Sequence, residues 1–67
     1  MPLNELIRAK RKELGLTQQN LADSIGVTAV AFTNWEHGLR NPTIPNRIKL
    51  AKAFGMDPLA LVPELQS

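Results

Sequence analysis

The chain contains no cysteine and no tyrosine, and its 67 residues include one tryptophan, two phenylalanines and one histidine. Without cysteine, neither a disulfide nor a thiolate zinc site can stabilise the fold. One histidine and scattered carboxylates predict no metal site and no cofactor. Serines without a partner base, and the lack of a glycine-rich phosphate loop, argue against an enzyme.

Long apolar runs are also absent. No stretch of 18 apolar residues is present, so no transmembrane helix is predicted, and residues 1–12 lack the features of a signal peptide. The cytoplasm is therefore the expected location. The net charge of +2 suits an anionic partner without requiring one. The length predicts one domain over residues 1–67.

Two short helix patterns joined by a tight turn lie between residues 17 and 38. Thr17 is expected to cap a helix over 18–25, and Gly26 is the residue expected just past its end. Thr28 is expected to cap a second helix over 29–37, which Gly38 ends in the same way. Two capped helices separated by a short turn with glycine match the helix-turn-helix motif.

The second helix of this motif has two contrasting faces. On a helical wheel, Phe32 and Trp35 lie on a large apolar side that is expected to face the core. The opposite side lacks the Lys, Glu and Gln residues of an ordinary solvated surface, which indicates a face that contacts a partner. Its members are Val30, Thr33, Asn34 and His37.

Helices are also predicted on both sides of the motif. Apolar positions at helical spacing predict a helix over 3–14 and another over 45–54. Asp57 and Pro58 mark the start of a fifth helix over 58–62. The expected fold is all-α, with five short helices and no strand. The predicted core consists of Leu6, Leu14, Leu21, Ile25, Phe32, Ile48, Ala51 and Phe54, with Trp35 largely buried.

The segment from Thr17 to Pro42 follows the patterns TQxxLAxxxGV and WExGxxxP. With these spacings the chain resembles the lambda-repressor-like helix-turn-helix family, which includes the lambdoid phage repressors and Cro proteins. The resemblance covers about residues 3 to 62 and implies a DNA-binding domain whose second motif helix, the recognition helix, lies in the major groove. Lys10 departs from the apolar residue that many members carry. Ala29 and Val30 stand where many carry polar residues, which leaves the target sequence open.

The resemblance also implies roles for individual residues. The family arginine at the place of Arg11 usually pairs with the glutamate after the tryptophan, here Glu36, and this pair is expected to fix the first helix against the third. Gln18 is expected to touch the DNA backbone and to brace the start of the recognition helix. The other basic residues of the first helix, Arg8, Lys10 and Lys12, are expected to form a solvated face. The predicted contacts to the DNA backbone are Gln18, Gln19, His37, Arg40 and Asn41.

The uncharged face of the recognition helix indicates how bases would be recognised. The amide of Asn34 matches the N6 and N7 edge of adenine, and an exposed Val30 suits the methyl group of thymine. Half-sites with A·T pairs near the centre of the contact are therefore predicted. The predicted base contacts are Thr28, Ala29, Val30, Thr33 and Asn34.

The C-terminal segment carries several large apolar residues in a short stretch. Some of them are expected to contact a second subunit, aided by the loop over 39–44, and the alternative is that all pack within the chain. On DNA, a homodimer would occupy two half-sites about one helical turn (~34 Å) apart on a roughly palindromic operator. The candidate dimer contacts are Leu59, Leu61, Val62 and Leu65.

The favoured function is a sequence-specific transcriptional regulator that binds double-stranded DNA, of the phage repressor or Cro type. The alternative is a protein-interaction module of the antitoxin or co-regulator type, whose exposed valine face binds protein. Binding to DNA must weaken steeply as salt rises, whereas an apolar protein contact should change little. Two hypotheses about the whole protein also stay open: a complete short Cro-like protein, or the DNA-binding part of a longer repressor.

Overall fold

A computed structural model describes residues 2–62 of the chain. These residues form four α-helices and no strand, which confirms the all-α prediction. The predicted fifth α-helix over 58–62 is wrong, because only the three-residue 3₁₀ turn Pro58–Ala60 forms there. Pro63 lacks the amide hydrogen that an α-helix would need at that position. The α-helices are α1 Leu3–Glu13, α2 Gln18–Ile25, α3 Ala29–Glu36 and α4 Ile44–Ala53.

Threonine side chains cap three of the four helices. The hydroxyl oxygens of Thr17, Thr28 and Thr43 each accept a hydrogen bond from the amide three residues later, at 3.0, 3.1 and 3.4 Å. After α2 the chain reverses at Gly26, whose φ of 76° lies in the left-handed region that favours glycine. These local signals explain why α2 has the predicted bounds. Helix α3 ends one residue earlier than predicted, and α4 begins and ends one residue earlier.

The helices pack around one apolar core. Helix α2 contacts both α3 and α4, while α1 packs on α3 and the 3₁₀ turn packs on α4. The rings of Phe32 and Trp35 lie 5.8 Å apart at a tilt of 59°, a favourable geometry for an aromatic pair. No helix within residues 2–62 combines the length and the apolar character needed to cross a membrane. The core residues are Ile7, Leu21, Ala22, Ile25, Phe32, Trp35, Leu50, Ala51, Phe54, Leu61 and Val62.

Three predicted core positions differ from this result. Leu14 is 47% exposed, so its prediction is wrong. Helix α1 ends at Glu13, and Leu14 caps it before the chain turns at Gly15, so the helical stripe no longer governs its direction. Leu6 and Ile48 are half-buried at the edge of the core.

The residues after the 3₁₀ turn complete the core instead of forming a separate apolar surface. Leu61 and Val62 are 2% and 0% exposed, so the prediction that they contact a second subunit is wrong for this conformation. The 3₁₀ turn Pro58–Ala60 packs on α4, and the two residues after it join the core cluster that also contains Leu50 and Ala51. Leu59 is half-buried, and Leu65 lies outside the described residues.

Candidate nucleic-acid interface

Helix α3 buries one face and presents the other to solvent. Phe32 and Trp35 anchor the buried face, as the sequence predicts. Val30 is 71% exposed on the outer face, and an apolar side chain so exposed on a well-anchored helix is available for contact. The side chain of Asn34 is half-buried and makes no hydrogen bond within residues 2–62, so its amide is available to a partner.

The other predicted base-contacting residues, at the start and in the middle of α3, have different environments. Thr28 is exposed, but its hydroxyl oxygen accepts from the amide of Ala31 as the helix cap. Ala29 is half-buried beside it. The Thr33 hydroxyl donates to Oε1 of Gln18 at 2.9 Å. Thr33 therefore supports the helix with its hydroxyl, and its methyl group is what remains for an outside contact.

A buried ion pair joins α1 to the end of α3. Arg11 Nε donates to Glu36 Oε2 at 2.5 Å, and Arg11 Nη2 donates to Glu36 Oε1 at 3.1 Å. This bidentate geometry is the strong form of an arginine–carboxylate contact. Arg11 Nη1 also donates to the carbonyl of Leu16 at 2.9 Å. The pair that the family resemblance implied is therefore formed, and it fixes α1 against α3.

The charge of Glu36 is maintained despite its burial, with only 2% of its side chain exposed. Burial by itself raises the pKa of this carboxyl group, but hydrogen bonds from Arg11 and Gln18 and the charges of Arg11 and Arg8 lower it further than burial raises it. The net effect holds the Glu36 pKa below its usual range. The hydrogen bond to Glu36 raises the pKa of Arg11 against the opposing effect of burial. Both groups are therefore charged at neutral pH.

Gln18 connects the ion pair to the recognition helix. Its Nε2 donates to Glu36 Oε1 at 3.0 Å, while its Oε1 accepts from Thr33. Gln18 thus braces α3 at residues 33 and 36, in its middle and at its end, and not at its start as predicted. The neighbouring Gln19 is exposed, and its amide donates to Asp23 at 2.7 Å.

The loop after α3 is held from two sides. The amides of Leu39 and Arg40 donate to the carbonyl of Asn34 at 3.0 and 3.4 Å. Arg47 Nε donates to the carbonyl of Pro42 at 3.1 Å. The side chains of Arg40 and Asn41 are exposed and line one shallow cleft. This contact of Arg47 was not predicted from the sequence, because no local pattern indicates it.

The predicted backbone-contacting residues form two groups. Gln18 and His37 line a polar cleft between α1 and the end of α3, whereas Arg40 and Asn41 lie in the loop cleft. Gln19 lines neither cleft. Within residues 2–62, no cluster of His, Asp or Glu side chains could hold a metal ion. The site therefore presents hydrogen-bond donors, basic groups and the exposed apolar side chain of Val30 around α3.

A model of the helix-turn-helix family matches residues 7–61. The match covers most of the chain, and the chain belongs to the helix-turn-helix family. Two curated relatives agree with this assignment and with the resemblance to the lambda-repressor-like proteins. A helix-turn-helix-type transcriptional regulator of Methanothermobacter thermautotrophicus is 40% identical over 55 residues, which are 82% of this chain and 80% of that protein. The repressor protein C2 of Salmonella phage P22 is 38% identical over 56 residues, which are 84% of this chain.

The fold also matches a solved repressor. The P22 c2 repressor in complex with a synthetic operator superposes with a TM-score of 0.84 at 36% identity, covering 91% of this chain and 92% of that chain. The match to the curated phage repressor covers only 26% of that protein. The chain therefore corresponds to about a quarter of that relative's length.

Proposed function

We propose that this chain is a sequence-specific, double-stranded DNA-binding transcriptional regulator of the phage repressor or Cro type, acting as a single domain in the cytoplasm. The observation that carries the proposal is the exposed, uncharged face of α3, fixed to the rest of the fold by a buried ion pair. A face of this kind on an anchored helix suits the major groove, where base edges offer hydrogen bonds and methyl groups. The similarity to a repressor in complex with operator supports the same placement.

The base contacts are assigned to the outer face of α3. Asn34 offers an unengaged amide for adenine, and Val30 offers an exposed apolar group for a thymine methyl. Thr33 contributes its methyl group, because its hydroxyl is bound to Gln18. Thr28 and Ala29, at the start of α3, lie where a recognition helix enters the groove.

The backbone contacts position this helix and carry no sequence information of their own. Arg40 and Asn41 in the loop after α3 are exposed and suited to phosphate oxygens. Gln18 has a second Nε2 hydrogen beyond the one donated to Glu36, and it begins α2, where free helix amides favour an anion. Gln19 and His37 complete the set.

The regulator binds as a homodimer to a roughly palindromic operator, with half-sites about one helical turn (~34 Å) apart. Leu39 and Ile44 are 74% and 44% exposed at the two ends of the loop, and Leu59 is half-buried. These residues are the apolar surface available for a small contact between subunits. A contact of this size is weak without DNA.

The proposal is tested by selecting bound sequences from a random pool of duplex DNA and titrating the selected duplex at increasing salt. We expect enrichment of one palindromic sequence and a steep, linear fall of log K with log salt, as phosphate contacts release counterions. Failure to enrich any sequence, together with salt-independent capture of a protein partner through the Val30 face, would establish the interaction-module alternative.

Replacing Val30 by Ser tests the base contact itself. We expect the fold to be unchanged, because the side chain is exposed, and discrimination to fall by about 1–3 kcal/mol, the usual cost of one lost base-pair contact. The measurement uses operators with uracil in place of thymine at each position, which removes only the methyl group. If the wild-type chain binds every uracil operator as tightly as the thymine operator, Val30 does not contact a methyl group.

A further inference from the structure

An open groove lies between the end of α2 and the second half of α4. Ile25 is the last residue of α2, and Ala53 is the last residue of α4. Together with the methylene stems of two lysines they give the groove an apolar floor, because lysine stems lie along apolar surface while their ammonium groups stay in water. The residues that line this α2–α4 groove are Ser24, Ile25, Lys49, Lys52 and Ala53.

The two lysines give the α2–α4 groove a positive charge that no described residue neutralises. Lys49 and Lys52 are exposed, and neither makes a hydrogen bond or an ion pair within residues 2–62. They lie one turn apart on the same face of α4, a helix whose sequence contains no acidic residue, so their charges repel each other. Asp23 of α2 does not line the groove, and its carboxylate accepts from the amide of Gln19 at 2.7 Å.

We propose that the α2–α4 groove docks a short, acidic, amphipathic helix of a partner protein. An aliphatic side chain of that helix packs on Ile25 and Ala53, and carboxylates beside it pair with Lys49 and Lys52. This surface is separate from the outer face of α3. The inference therefore goes beyond the proposed DNA binding and does not depend on it.

The shape of the groove and the spacing of its charges fit a helical partner. An amphipathic helix commonly binds by laying an apolar face into a groove, with its anchoring side chains three or four residues apart. Carboxylates at the same spacing on the partner match the one-turn separation of Lys49 and Lys52. The Ser24 hydroxyl donates to the carbonyl of Leu21 at 2.8 Å, so its oxygen can still accept from the partner.

The α2–α4 groove is distant along α2 from the residue assigned to the DNA backbone. Gln18 begins the eight-residue helix α2 and Ile25 ends it, which places them about 10 Å apart along the helix axis. The loop with Arg40 and Asn41 precedes the first residue of α4, whereas the groove is lined by the second half of that helix. We therefore expect the acidic helix and the operator to bind at the same time.

The experiment titrates the isotope-labelled full chain with three synthetic helical peptides of about 15 residues and follows the backbone amides by NMR. The first peptide carries leucines at helical spacing flanked by glutamates, the second has glutamine for every glutamate, and the third has alanine for every leucine. We expect the first to shift the amides of the α2–α4 groove and to bind at least about fivefold more tightly than the other two. Equal binding of the first two peptides, or shifts confined to another surface, overturns the inference.

A double variant of the two lysines tests the charge contact. Lys49→Gln combined with Lys52→Gln should weaken binding of the acidic leucine peptide about fivefold, the effect of losing two exposed ion pairs. The control combines Arg8→Gln with Lys12→Gln, which removes the same charge from exposed positions of α1. An equal loss in both double variants shows that only net charge matters and overturns the inference.

A carboxylate placed in the groove tests the position of the contact. Ala53→Glu should weaken the acidic leucine peptide about tenfold or more, because it sets a like charge against the partner. Ala9→Glu on α1 is the control and should have little effect. Both alanines are exposed, so circular dichroism should show that each variant keeps the fold. Unchanged binding to Ala53→Glu overturns the inference.

A parallel titration with the operator duplex separates this inference from the proposed function. The double lysine variant should bind the duplex with the same slope of log K against log salt as the wild type. A slope smaller by about 0.9 for each lysine would assign both to DNA phosphates and overturn the inference. A chain that binds the acidic leucine peptide but no duplex overturns the DNA-binding function alone.

Discussion

Breaking the Arg11–Glu36 pair from either side should destabilise the protein strongly. In Arg11→Met, the buried Glu36 carboxylate keeps only the hydrogen bond from Gln18. Removing one partner of a buried pair costs about 3–5 kcal/mol, and we expect the lower end because 13% of the Arg11 side chain is exposed and water can partly replace it. A domain of this size has an unfolding free energy of about 3–10 kcal/mol, so the loss is large.

The Glu36→Gln variant keeps the shape of the side chain but places an amide NH₂ group against donors. Three donated hydrogen bonds converge on the carboxylate, two from Arg11 and one from Gln18, and the amide can accept at only one atom. We expect a cost of about 2 kcal/mol. The double variant should cost about 1–2 kcal/mol less than the sum of the two single changes, because neither leaves an unpaired charge once both are made.

Urea unfolding at pH 7 without DNA, followed by far-ultraviolet circular dichroism, measures all four free energies of the cycle. The surface pair Lys10–Glu13, at 3.3 Å, provides the control cycle, whose coupling should stay below about 0.5 kcal/mol. If the Arg11 and Glu36 changes add to within about 0.3 kcal/mol, the two side chains do not act as a pair in solution.

Four further predictions concern the Glu36 carboxylate, the hydrogen bond between Thr33 and Gln18, the core residue Leu61 and the exposed loop residue Leu39. Because the folded-state pKa of Glu36 is lowered, its contribution to stability is fully present above the ordinary glutamate pKa of about 4.3 and is lost as pH falls through the folded value. In Glu36→Gln, the free energy of unfolding should therefore fall less steeply at acid pH than in the wild type. Thr33→Val should cost about 1 kcal/mol in urea unfolding, because Gln18 loses a donor, while operator preference stays unchanged because the methyl group remains. Leu61→Ala should cost about 2–5 kcal/mol, since the side chain is buried, and a cost near zero would contradict its core position. Leu39→Ser should change stability by less than about 0.5 kcal/mol but weaken cooperative binding to a two-half-site operator in a gel-shift titration, and intact cooperativity would place the subunit contact elsewhere.

Local signals predicted the helix-turn-helix well. Thr17, Gly26 and Thr28 act on their own neighbouring amides or on the local backbone, so sequence alone locates both helices to within one residue. The buried side of α3 was also predictable, because Phe32 and Trp35 are the only large apolar side chains on that face. The family resemblance, and not the spacing of charges, identified the ion pair.

The outer helices were harder to predict because tertiary packing decides which face is buried. In α4, Ile48 was predicted to lie in the core but is half-buried, whereas Leu50, which was not predicted there, is fully buried. Arg47 is half-buried, and its guanidinium donates to the carbonyl of Pro42 in the loop, a contact with no pattern in the sequence.

In α3, the side chains that anchor the helix differ from those available to a partner, and this separation affects how the recognised sequence could be changed. The side chains that hold the helix are Phe32, Trp35 and Glu36. The side chains of Val30 and Asn34, on the outer face, make no hydrogen bond within the described fold. Substitution at these two positions should therefore cost little stability. A new target sequence could then be reached by single substitutions, each of which leaves the protein folded. A library varied only at residues 30 and 34 should consist mostly of folded proteins with different operators.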